Sequence, residues 1–123
     1  MAEEVVAYIS AQPAAQANSL KALRSCLANR IAHAGIAVEE VISYSMPGFR
    51  VLSGRGTGKM LLGYAVWKAH LAIYPHSGTV LSKMTKTTRG LSQTKSALHI
   101  GIGDLPSDEI VDTMIRLRMA EIS

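Results

Sequence analysis

Ile42-Ser43-Tyr44-Ser45-Met46-Pro47-Gly48-Phe49-Arg50 is where the chain changes character. Upstream of it, apolar residues recur at helical spacing. From Val38 onward, β-branched and aromatic residues are broken up by glycine and proline, the composition of strands and hairpins. One hairpin further on stand Trp67-Lys68-Ala69-His70 and then Tyr74-Pro75, so apolar anchors, turn formers and polar groups gather in one region. Strands are predicted at about Glu40 to Ser45, Phe49 to Ser53, Met60 to Val66 and Leu71 to Tyr74. No connection between them is long enough for a crossover helix, so neighbouring strands run antiparallel.

Working outward towards the N-terminus, Leu20, Leu23, Leu27, Ile31 and Ala34 form an apolar stripe with Lys21, Arg24 and Arg30 off it, and Gly35 is placed to end the helix. Pro13 suits the first turn of this helix, where its missing N–H has no intrahelical partner. Before it, Val5, Val6 and Ile9 follow the acidic pair Glu3 and Glu4, which predicts a short first helix ending near Ala11. Towards the C-terminus, residues 76 to 95 are rich in Ser, Thr, Gly and Lys and read as a mainly exposed connection, with a short helix at Val80, Leu81 and Met84. Ala97 to Ile102 reads as a further strand. Ser107 then caps a last helix with acids in its first turn and Ile110, Val111, Met114, Ile115 and Leu117 on its apolar face. The prediction is one α+β domain over residues 1–123, a mainly antiparallel sheet of about five strands with N- and C-terminal helices packed on one face.

The chain of 123 residues can bury one core, and 48% hydrophobic with 18% charged residues places it among ordered globular proteins. Cys26 is the one cysteine, so no intramolecular disulfide exists and the cytoplasm is the default compartment. The acidic start lacks the positive charge of a secretory signal. The longest apolar run, Met60 to Trp67, is too short to span a bilayer, so no membrane partner is expected.

Several chemistries fail on spacing. Ser43 and Ser45 lie outside any Gly-x-Ser-x-Gly elbow, and no acid and histidine are placed to complete a triad, so no catalytic residue is assigned and the protein is read as not an enzyme. Gly54-Arg55-Gly56-Thr57-Gly58-Lys59 is not a phosphate loop: Ser53 stands at the first glycine, Met60 follows the lysine, and a strand follows instead of a helix. His33, His70, His76 and His99 are scattered without metal-ligand spacing, and Cys26 reads as a packed side chain. A net charge of +4 gives anionic partners a weak preference. Lys83, Lys86, Arg89 and Lys95 lack interleaved aromatics, so nucleic acid is not an expected partner.

The ordered motifs Ile-Ser-Tyr-Ser-Met-Pro-Gly-Phe-Arg at 42 to 50, Trp-Lys-Ala-His at 67 to 70, Tyr-Pro-His-Ser-Gly at 74 to 78, Thr94-Lys95 before a strand, and Leu105-Pro106 before a helix containing Arg118 resemble the YdhG-like family, a domain of unknown function sometimes described as frataxin-like. The resemblance runs from about Val6 to Ile122. It implies a frataxin-like α+β sandwich and, from at least one relative thought to be an iron chaperone for iron–sulfur cluster and haem assembly, a role in binding or delivering iron. Ser45, Ala69, Ser96 and His99 depart from the family's usual glycine, asparagine, glycine and phenylalanine. Frataxin-type chaperones hold iron with exposed carboxylates, and if the first helix and the start of the first strand adjoin, Glu3, Glu4, Glu39 and Glu40 form a weak acidic edge.

The polar residues that match the family motifs are Tyr44, Arg50, Lys68, His70, Tyr74 and Lys95, at strand ends or hairpin corners. Strand alternation puts His70 and Tyr74 on one face with Ala72 between them. If the strand ends converge, these six make a basic cleft for a carboxylate or phosphate. Two readings follow: a carrier protein of the YdhG-like type with iron as cargo, or a module that binds a small anionic metabolite or a protein partner.

Overall fold

The structure, a computed structural model, describes residues 2–123. The chain runs α1 (Ala2–Ser10), α2 (Ala14–His33), β1 (Val38–Ser43), β2 (Met46–Val51), β3 (Met60–Val66), β4 (His70–Tyr74), a 3-10 turn (Leu81–Lys83), β5 (Leu98–Gly101) and α3 (Asp108–Ile122). The five strands form one antiparallel sheet in the order β1-β2-β3-β4-β5. This is the predicted α+β architecture. Among the described residues no helix is long and apolar enough to cross a membrane.

The helices lie on one face because alternate strand residues are apolar. Phe49, Val51, Leu62, Tyr64, Leu71, Ile73, Leu98 and Ile100 point into a core that also takes Leu20, Leu23, Leu27 and Ile31 from α2, Val5 and Ile9 from α1, and Ile110, Val111, Met114 and Ile115 from α3. Pro13 sits one position earlier than the first turn, as the N-cap of α2. The helix closes with two bonds that satisfy its last carbonyls, Gly35 N–H to Ala32 and Ile36 N–H to Ile31, with Gly35 at φ +77°. The Ser107 hydroxyl accepts from the Ile110 N–H at 3.2 Å, the predicted cap of α3. Arg30 then clamps α2 to α3 through two bonds to Asp112, at 2.8 and 2.7 Å.

Two local predictions are displaced, each for a definable reason. The first hairpin turns on Tyr44 and Ser45 alone, both at positive φ (53° and 63°), so β2 begins at Met46 and includes Pro47. A two-residue turn of this hand suits the twist of the flanking strands, although asparagine and glycine are its usual residues. Pro47 faces Ile42 across β1, while pairing with β3 starts only at Gly48, the first residue of β2 beyond the missing N–H. The connection after β4 is also less exposed than its composition predicts: Val80, Leu81 and Met84 plug the core at 0, 0 and 2% exposure. Thr88 inside that loop is buried too, donating to the Gln93 side-chain oxygen at 2.6 Å.

Candidate functional site

The face of the sheet away from the helices has a floor of small residues. Gly48 of β2 lies opposite Gly63 of β3, and Ala65 of β3 opposite Ala72 of β4. The two glycines are required by what stands above them. A Cβ on Gly48 would come within 2.6 Å of the Met60 methyl and 2.9 Å of the Leu62 carbonyl, and one on Gly63 within 2.7 Å of His76 Nε2. The Tyr44 ring lies against His76 with centroids 6.4 Å apart. The Trp67 indole N–H donates to the Tyr74 hydroxyl at 3.1 Å. Ala65 and Ala72 are 4 and 0% exposed although no helix covers them, so this layer of polar-tipped side chains shields the floor.

At the rim of this face is a cavity of about 280 Å³ lined by Tyr8, Tyr44, Ser45, Met46, Ala65, Val66 and Trp67. Its three rings come from three elements: α1, the β1–β2 turn and the β3–β4 turn. Tyr8 is held by accepting the Val66 N–H on its hydroxyl at 3.3 Å. Tyr44 is 84% exposed on its left-handed turn and Trp67 is 54% exposed. Large rings left in water around a hollow mark a place where a ligand can recover buried apolar area. Two larger hollows, of about 400 Å³ between β5 and α3 and about 370 Å³ between the ends of α2 and α3, contain no tyrosine or tryptophan.

Of the six residues proposed for a basic cleft, only Tyr44 lines this cavity. His70 and Tyr74 share the uncovered face as alternation requires, but Tyr74 is engaged by Trp67, and His70 lies beside His99 with ring centroids 4.2 Å apart. Arg50 is on that face too and is bound to Glu39, with its Nε at 2.9 Å from the carboxylate. Lys68 is in the turn before β4, whereas Lys95 packs its chain against Gly78, beyond the other end of β4. The cations therefore do not converge.

The acidic edge is not assembled either. Glu39 and Glu40 are consecutive on a strand and point to opposite faces: Glu39 pairs with Arg50, and Glu40 turns inward to Arg24 at 2.6 Å and to the Tyr64 hydroxyl at 3.0 Å. Among the described residues no three His, Cys, Asp or Glu side chains stand close enough to hold a metal ion. Cys26 is half-buried and burial pushes its thiol up from the ordinary value, so it stays protonated. His76 Nε2 is buried with no hydrogen-bond partner, and burial together with the nearby Arg118 charge holds this imidazole below its ordinary pKa. Tyr8, Trp67 and His99 were not singled out as site residues from sequence. A lone tryptophan placed at a hairpin corner was the one available signal.

No family model and no curated protein matches the sequence. Among solved structures, the crystal structure of a DUF1801 family protein, YdhG from Bacillus subtilis, superposes with a TM-score of 0.77 over 98% of this chain and 92% of that one, at 15% identity. The chain has a YdhG-like fold. At that identity the likeness fixes the arrangement of helices and strands and carries no residue roles across. The frataxin-like part of the expectation rests on resemblance alone.

Proposed function

We propose that this YdhG-like chain is a cytoplasmic binding or carrier module, without catalytic machinery, that holds a small ligand bearing a flat ring in the Tyr8–Tyr44–Trp67 cavity. The observation that carries this reading is the convergence of three rings from separate elements on one hollow. Its volume of about 280 Å³ is close to the lower end of small-molecule sites, roughly 300–1,000 Å³. The net charge of +4, with Lys68 next to Trp67 in the same turn, favours an anionic substituent on the ring. This replaces the basic cleft, because Arg50 is already paired and Lys68 and Lys95 lie at opposite ends of β4.

The iron reading has only the family resemblance behind it. Two of its four carboxylates are committed to arginines, and the donors present do not fit an oxygen-ligated iron site.

Trp67 is the sole tryptophan, so its fluorescence reports on the cavity directly. Titration with adenosine monophosphate should give saturable quenching, and calorimetric titration with indole-3-acetate, whose own indole emits like Trp67, should give saturable heat, both below about 1 mM, an affinity worth only about 4 kcal/mol. The response should vanish in Tyr44→Ala, with thermal unfolding as the check that this variant, which loses the ring beside His76, stays folded. Absence of saturation with both probes, or an unchanged curve in Tyr44→Ala, removes the proposal.

A further inference from the structure

His70 opens β4 and His99 is central in β5, and the register pairs His70 with Gly101 and Ala72 with His99. The two histidines are thus diagonal neighbours on the uncovered face, both partly exposed, with ring centroids 4.2 Å apart and ring planes tilted by 32°. Two further features bear on this pair. The Ser92 hydroxyl is 3.3 Å from His99 Nδ1; when Nδ1–H donates to it, the tautomer is fixed and Nε2 keeps its lone pair. Asp104 Oδ2 lies 2.6 Å from where a Cβ on Gly101 would stand, on the same face and directly across from His70, so a carboxylate occupies the position beside the pair.

We propose that His70 and His99 form a two-imidazole clamp for a borderline divalent cation of the zinc, nickel or copper type, with the Asp104 carboxylate as a neighbouring negative charge and water completing the coordination. The closeness of the two rings is what carries this. Two imidazoles bound side by side to one ion at about 2.0–2.1 Å hold their ring centres roughly 4.5–5.3 Å apart for ligand angles of about 90–110°. The observed 4.2 Å is a little shorter, so the rings open by small side-chain rotations to take the ion. Imidazole is the ligand such ions favour, whereas a cluster of hard oxygen donors would select magnesium or calcium. The clamp uses none of the residues of the Tyr8–Tyr44–Trp67 cavity, so it stands or falls independently of the proposed ligand site.

The test is calorimetric titration of untagged protein with zinc and nickel chloride, together with electron paramagnetic resonance of the copper(II)-loaded protein. One ion per chain is expected, with two nitrogen donors in the copper spectrum. His70→Ala and His99→Phe, the second of which keeps a ring beside His70 but removes its nitrogens, should each weaken binding at least about tenfold, since even the loss of an outer partner of a ligand costs that much. In His99→Phe the copper spectrum should retain one nitrogen. His33→Ala, an exposed histidine on α2, should bind like wild type. Thermal unfolding of each variant checks that it is folded. No binding up to about 1 mM, wild-type binding in either His70→Ala or His99→Phe, or loss of binding in His33→Ala overturns the assignment.

Discussion

Glu40→Gln is the substitution that best probes how the helices are fixed to the sheet. Glu40 is 12% exposed and receives three hydrogen bonds from the Arg24 guanidinium, at 2.6, 2.9 and 3.1 Å, and a fourth from Tyr64 at 3.0 Å. Tyr64 is fully buried, and burial followed by the Glu40 charge pushes its phenol far up, so it is always a donor. Glutamine keeps one acceptor for these donors and turns an amide N–H towards the rest. Breaking a buried ion pair costs about 3–5 kcal/mol and an unsatisfied hydroxyl about 1–3 kcal/mol. Because Arg24 is 30% exposed and can regain water, the expected net loss is about 2–3 kcal/mol, or a fall in Tm of about 10 °C for a chain of this size. Urea unfolding with an unchanged m-value reads it. Glu39→Gln, on the exposed face of the same strand, should cost under about 1 kcal/mol. Replacing Arg24 by Met, Glu40 by Leu and Tyr64 by Phe together should recover most of the loss, since an apolar substitute leaves nothing unpaired. Should Glu40→Gln lie within about 0.5 kcal/mol of wild type, or match Glu39→Gln, the reasoning is refuted.

Further outcomes follow from the uncovered face. Gly48→Ala should destabilise more than Gly63→Ala, because the new methyl meets the Leu62 backbone carbonyl at 2.9 Å, whereas at Gly63 it meets the movable His76 ring; about 1–3 kcal/mol is expected at Gly48, and an order reversed in thermal unfolding would count against the packing described. His76 is held below its ordinary pKa by burial and by Arg118, and His99 by burial and by His70, so the unfolded chain takes up these protons first. Stability should therefore be full above the unfolded value near 6.5, fall as pH drops through it, and level off below the folded values. His76→Gln should make the decline between about pH 7 and 5 shallower; a stability that rises on acidification over that range would contradict the sign.

The helical parts were legible because each signal was local. The Leu20, Leu23, Leu27, Ile31 stripe and the Ser107 cap need no knowledge of the rest of the chain, and both are where the spacing puts them. The β2 boundary was not legible in the same way. Pro47 and Gly48 read as turn formers, and only the left-handed backbone at Tyr44 and Ser45, two residues without a strong preference for it, moves the turn ahead of them. The separation of Glu39 from Glu40 could have been read, since the period of a strand alone sends consecutive residues to opposite faces. What alternation could not give is the partner: the Arg24 contact depends on how α2 lies across β1, and Arg50 on the pairing register.

The two faces of this sheet differ in how far the sequence determines them. The helix-facing residues must fill one core, and cores accept many apolar combinations of similar volume, which is how a YdhG-like fold persists at 15% identity. Nothing in that requirement fixes the other half of each strand. There the small floor of Gly48, Gly63, Ala65 and Ala72 leaves room above the sheet, and Tyr44, Trp67, Tyr74, His76, His70 and His99 fill it from β4, β5, two hairpin turns and the loop after β4. Their neighbours are set by register rather than by sequence spacing, so Trp67 meets Tyr74 and His70 meets His99 only once the sheet has formed. A face that folding leaves unconstrained is the one that a binding function can vary, and rings left exposed on it, at a cost in hydration that the core does not require, are the physical argument for placing the ligand there.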